Sequence, residues 1–323
     1  MQHARLFLAV LLAQILLPAQ SLLVLSKHDL TLSIVDPASL KVIAKAPSGQ
    51  DPHEVIASTD ATRAYISNYG GGSLNTITVI DLVNQKALAP IDLGPLRGPH
   101  GLDFVGGKLW FTAEGAKVIG SYDPATAKID WVFGTGQNRT HMLYVFPDLN
   151  RIITTNVSSA TISLIENTTG GPRVDWNQTL IPVGRGAEGF DLSPDRKEIW
   201  AANAQDGTVS IVDANAKKVL QTLDADVRGA NRLKFTPDGK RVLVSTLGGP
   251  NLTVIDVSSR QVVKRIPIGK GAAGILMHPD GAKAYVACTP DDYVTVIDLH
   301  SLAVAGRFEA GGNPDGLAWA VRR

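Results

Sequence analysis

Seven short segments of the chain end in an acidic residue after a run of strand-forming residues, and they recur at nearly constant spacing. They are Ser33-Ile34-Val35-Asp36, Thr78-Val79-Ile80-Asp81, Gly120-Ser121-Tyr122-Asp123, Ser163-Leu164-Ile165-Glu166, Ser210-Ile211-Val212-Asp213, Thr253-Val254-Ile255-Asp256 and Thr295-Val296-Ile297-Asp298. The steps between the acidic residues are 45, 42, 43, 47, 43 and 42. A period in the low forties is too long for a hairpin and matches a four-stranded blade, so the chain is expected to be all-β and to stack its repeats as a seven-bladed β-propeller.

Each repeat reads as four strands. In the sixth they are Arg232–Phe235, Arg241–Ser245, Leu252–Ile255 and Val262–Ile268. Pro237-Asp238-Gly239 supplies the turn after the first strand, with Pro194-Asp195 and Pro279-Asp280-Gly281 at the same place in neighbouring repeats. The acid that closes the third strand can bond its own backbone and shape the next turn. Apolar residues alternate along the strands, as Val242 with Val244 and Leu252 with Val254, which suits sheets stacked face to face. The first repeat begins with a second-type strand, Leu22–Ser26, and the C-terminus carries a surplus first-type strand, Asp315–Ala320. Docking the surplus strand beside Leu22–Ser26 completes the first blade and removes two exposed sheet edges. The expected blades are then 21–52 with 315–320, 53–99, 100–140, 141–187, 188–230, 231–272 and 273–314.

The Pro-Asp-Gly turn, the Leu-Val-Ala-type second strand, the Thr-Val-x-Val-Ile-Asp third strand and the Val-rich fourth together resemble the YVTN-type β-propeller repeat of YncE-like proteins. The resemblance covers residues 22–320 and is best over 191–320. It weakens in the third and fourth repeats, where Phe104-Val105-Gly106-Gly107 replaces a Pro-Asp-Gly turn. It implies an exported bacterial or archaeal protein, and it is specific for fold and not for activity.

Residues 1–20 have the layout of a secretory signal: His3 and Arg5, then the apolar run Leu6–Leu17, then Pro18-Ala19-Gln20. A periplasmic or secreted monomer is the expectation, with no further run long enough to span a bilayer. Cys288 is the only cysteine, so no internal disulfide can form, and its place in a second strand reads as core. Lys and Arg total 31 against 30 Asp and Glu, which gives no support to nucleic-acid binding. Nucleotide-binding, hydrolase-elbow and haem-attachment motifs are all absent from the sequence.

Aligning the repeats puts one residue per blade where the chain enters the innermost strand, at the mouth of the central channel. These are His53, His100, His141, Glu188, Asn231, Ala273 and Asp315. Three consecutive imidazoles followed by a carboxylate suit a divalent metal such as Zn²⁺, Mn²⁺ or Cu²⁺, with Glu188 as a fourth ligand or a general base. The alternative is a set of structural histidines bonded to loop carbonyls. The residues ending each second strand form another ring on the same face: Lys27, Asn68, Glu114, Asn156, Asn203, Thr246 and Thr289. Of these, Lys27 and Glu114 are candidate catalytic groups beside Glu188, while Asn68 and Asn203, like Asn231 and Asp315, are candidate ligand contacts. Arg97, Arg185, Arg228 and Lys270 share an offset upstream and could hold a carboxylate, phosphate or sugar acid. Two functions follow as expectations: a module that binds a small polar or anionic ligand, or a cell-envelope protein, through its channel-mouth face; or a metal-dependent lyase or lactonase at that mouth.

Overall fold

The computed structural model describes residues 20–168 and 175–322; the N-terminal signal reading lies outside them, on residues 1–19. Among the described residues there are seven antiparallel sheets and no α-helix. Six have four strands, in sequential order in five and with the C-terminal strand innermost in the first blade, and the second blade has a fifth short piece. That piece exists because the outer strand of this blade is broken into Lys86–Ala87 and Ile91–Asp92, both pairing Thr76–Asp81. Pro90 stands between them and has no N–H to give the ladder.

The ring closes as the surplus strand predicts. Pro314–Val321 pairs antiparallel with Gln20–Ser26, with Leu22 opposite Trp319 and Val24 opposite Leu317. The first strands of the seven blades, starting at Pro52, Pro99, Thr140, Ala187, Ala230, Ala272 and Pro314, pack against one another around the channel. Apolar residues of facing sheets fill the space between blades. One such layer joins Trp200, Ile211 and Leu223 to Leu233, Val242 and Ile255. Cys288 lies in another, fully buried. The aspartates closing the third strands cap the following turn as expected: Asp213 Oδ1 accepts from Asn215 N at 2.8 Å, and Asp256 Oδ1 from Ser259 N at 2.8 Å.

Every first strand carries a β-bulge against its second strand, at the same place in each of the seven blades. A bulge leaves one residue without its ladder bond and re-aims its side chain. In the second, third and sixth blades the freed N–H is taken by a hydroxyl of the second strand, from Ser67, Thr112 and Ser245. Gly101 N donates to Thr112 Oγ1 at 2.9 Å, and that hydroxyl donates to His141 O of the next blade at 2.6 Å. Ser245 does the same between Arg232 N, 3.0 Å, and Ala273 O, 2.7 Å. Gly101 is glycine because a Cβ there would stand 2.5 Å from His141 O.

Nearer the other end of the channel, carboxylates link adjacent first strands. Asp103 Oδ2 accepts from Val145 N and Asp191 Oδ2 from Phe235 N, each at 2.9 Å. Burial pushes the Asp103 carboxyl up to about 6, against the pull of its two backbone donors.

If the C-terminal strand is what closes the ring, removing residues 314–323 should strip a sheet edge and loosen the contact between the first and last blades. The truncated protein should melt well below the full chain, by on the order of 10 °C or more, since a whole buried strand is lost. Unchanged melting would contradict closure by this strand.

Candidate functional site at the channel mouth

The bulges set the site. They fall at the mouth positions, so that His53, His100, His141, Glu188, Asn231 and Asp315 all lie at the bulged end of a first strand. His100 and His141 are 3% and 2% exposed, and their ring centroids are only 3.8 Å apart. Glu114, from the end of a second strand, reaches the same point. Its Oε1 is in close contact with His141 Nδ1, and its Oε2 accepts from the Tyr69 hydroxyl at 2.6 Å. One donor atom from each of His100, Glu114 and His141 lies within 4.8 Å of the others. Glu188 flanks the group, with Oε1 2.8 Å from His141 Nε2 but off the direction of a hydrogen bond.

His100 Nδ1 is buried without a polar partner, whereas His141 Nε2 faces the Glu188 carboxylate at 2.8 Å. An unmade bond at a buried polar atom costs about 1–3 kcal/mol, so His100 Nδ1 calls for an explanation. Burial opposes a charge on both rings, and the outcomes differ. His141 lies between two carboxylates, and Glu188 and Glu114 overcome the burial and raise it to about 9. His100 has no carboxylate bonded to it; burial, then the charges of His141 and His53, hold it well below 6.5. Glu188 and Glu114 resist the same burial and stay ionised, because His141 lies against both.

His53 stands apart from this cluster. Its ring is 5.2 Å from that of His100 and is engaged by Lys27, whose Nζ lies 2.8 Å from Nε2. Lys27 also pairs with Asp51 at 3.2 Å and Asp315 at 3.4 Å, which makes a separate polar group on the first and second blades. Between the sixth and second blades, Arg232 reaches Glu54 in a nearly buried ion pair. These residues directly follow Asn231 and His53, so the pair spans the channel one residue beyond the mouth ring.

The other expected contacts lie elsewhere. Asn68 is buried, donating to Ser48 O of the first blade and accepting from Thr78 Oγ1 of its own, both at 2.8 Å. Asn203 is buried likewise and donates to Thr208 and Ser210. Arg97, Arg185 and Arg228 are exposed and bond neighbouring loops: Ser73 O, Asp206 and Gln205 O, respectively. Asn231 is buried, with Oδ1 lacking a hydrogen bond. A cleft of about 720 Å³ lies between the second and third blades on the opposite face, beside Tyr65, Phe104 and Pro124. It holds no cluster of titratable groups to match the mouth.

Residues 174–283 match the family model described as YNCE-like beta-propeller. Over this stretch the chain is similar to YncE-like β-propellers. The match spans the fifth and sixth blades with parts of their neighbours, where the sequence repeat is cleanest, and four-stranded blades continue around the ring. No curated protein matches the chain in sequence. Solved structures share the fold. A functionally unknown protein from Desulfotomaculum acetoxidans has a TM-score of 0.75 at 14% identity, covering 91% of this chain and 98% of that one. Hydrazine synthase from Kuenenia stuttgartiensis has a TM-score of 0.72 at 18% identity, covering 86% and 92%. A candidate 6-phosphogluconolactonase from Bacteroides fragilis has a TM-score of 0.76 at 13% identity, covering 94% and 99%. At such identities the likeness to this chain is one of architecture.

The charge arrangement has a consequence for stability. His141 is raised from 6.5 to about 9, so its contribution is fully present below pH 6.5 and is lost as pH rises through 9. In metal-free protein the urea midpoint should fall across that window, and the fall should be smaller in His141→Gln. A wild-type profile flat from pH 6.5 to 9 would contradict a protonated His141.

Proposed function

We propose that this propeller is a binding module whose channel-mouth face holds one divalent transition metal, with His100, His141 and Glu114 as ligands. The observation that carries this reading is the buried His100 Nδ1 without a hydrogen bond, in a group where one donor atom from each of His100, Glu114 and His141 lies within 4.8 Å of the others. Two imidazoles and a carboxylate are a donor set that Zn²⁺ accepts, at about 2.0–2.2 Å per bond. Donors around such an ion stand roughly 3.3 Å apart by tetrahedral geometry, so modest side-chain rotations would close the group. A dication in this place would take over the charge that the His141 proton now offsets.

In the metal-free site His141 and the nearby arginines overcome burial and hold Glu188 at about 2, so that it stays ionised beside the cluster. The Arg232–Glu54 pair across the channel supports a mouth reached from one side, open to a small polar ligand and not to a threaded chain. The signal layout of residues 1–20 supports a periplasmic or secreted setting.

Calorimetric titration of chelator-treated protein with Zn²⁺ tests the reading. One ion per chain is expected, with His100→Ala and His141→Ala each weakening affinity by about 100-fold or more, as first ligands exceed the ~10–100-fold effect of supporting groups. His53→Ala should change it by less than about threefold, because His53 would be no ligand. Absence of binding, or an equal loss in His53→Ala, would overturn it.

A further inference from the structure

Two residues before each mouth position the backbone takes a left-handed turn. The seven residues there are Asp51 (φ 42°), Gly98 (71°), Arg139 (53°), Gly186 (77°), Gly229 (72°), Gly271 (59°) and Asn313 (51°). Glycine and asparagine are the residues that tolerate this conformation, and five of the seven blades use them. The two exceptions are in the blades of His53 and His141. Asp51 is accounted for by its partners Lys27 and Gly70 N. Arg139 has no such tight partner. Its Nε is 3.5 Å from Glu114 Oε2 and its Nη2 is 3.9 Å from Glu188 Oε1, ion-pair distances longer than a good hydrogen bond. Its side chain is 44% exposed at the mouth. The other bases there are engaged more closely, Lys27 with His53 and Arg232 with Glu54.

At a repeat position where four blades have glycine and one asparagine, the blade that supplies His141 carries a long cation, half-exposed and set beside Glu114 and Glu188. We propose that Arg139 is the anion-recognising residue of the mouth site, holding a small oxyanion, carboxylate or tetrahedral, over the open side of the metal. This rests on the metal reading above. In the metal-free site the guanidinium balances two carboxylates. A dication bound by Glu114, His100 and His141 takes over that balance, and leaves the planar donors of Arg139 to a second anion, for which they are shaped. Metal and oxyanion should therefore bind with positive coupling, and linkage makes the coupling reciprocal.

The test measures Zn²⁺ affinity by calorimetry on chelator-treated full-length protein, alone and with excess sodium acetate or sodium sulfate. The two salts distinguish a carboxylate from a tetrahedral oxyanion. At least one should tighten Zn²⁺ binding about fivefold or more in wild type, the lower end of usual coupling. Arg139→Gly introduces the residue that other blades use at this turn, so the fold should hold, as circular dichroism would verify. Its Zn²⁺ affinity without added anion should equal or exceed that of wild type, and the anion effect should disappear, with Arg139→Lys keeping part of it. If Zn²⁺ binds wild type but neither anion matters, or the effect survives in Arg139→Gly, this inference falls and the metal reading stands. If Arg139→Gly loses Zn²⁺ itself, Arg139 shapes the metal site and the anion role is overturned. If wild type binds no Zn²⁺, both readings fall together.

Discussion

The hydroxyl bridge between neighbouring first strands is the interaction on which the frame of the site depends. Each blade bulges where its innermost strand begins, and a bulge in a buried position leaves an N–H unpaired. Thr112 and Ser245 each answer that N–H and also reach a carbonyl of the next blade. One side chain thus repairs the ladder within a blade and ties that blade to its neighbour. Because the carbonyl held by Thr112 belongs to His141, the same bond fixes the backbone of a site residue. Site geometry and ring geometry are set by one contact.

Given that frame, the mouth is a problem in buried charge. Glu114, Glu188 and His141 lie within the protein, and ionised groups in such a place persist only when paired. The pairing is made across blades: Glu114 from the third, His141 from the fourth, Glu188 from the fifth. His100 completes the group without a carboxylate bonded to it and stays neutral, which keeps a lone pair available. Arg232 and Glu54 carry the same logic across the channel.

The fold was legible in the sequence because the Asp at the end of the third strand has a turn-forming role in six blades and so marks the period; Glu166 of the fourth keeps the spacing but lies within its strand, paired with Arg151 and Lys217. The surplus strand at the C-terminus was legible for the same reason. Site residues were harder to read. Alignment of the repeats finds His100 and His141, and the ring of second-strand ends finds Glu114, but their convergence depends on side-chain direction, which no spacing reports. Asn68 and Asn203 are the last residues of their second strands and bond locally, whereas Glu114 stands one residue past the end of its own strand, Lys108–Ala113, and reaches across to His141. Arg139, Arg232 and Glu54 went unremarked, although the repeat carries a signal for each. Arg139 stands where four blades have glycine, and Arg232 and Glu54 stand where Gly101, Gly189, Gly274 and Gly316 do. In a ring of near-identical units, departure from glycine at a conformationally demanding place is the residue-level mark of use.

The central claim is that these blades converge on a metal. The most direct measurement is anomalous diffraction above the zinc absorption edge, on crystals of the full chain grown with Zn²⁺. The account predicts one strong peak between the rings of His100 and His141, about 2.0–2.2 Å from a nitrogen of each and from a Glu114 oxygen. A difference map without a peak there, or with zinc only at exposed residues such as His28, would contradict it.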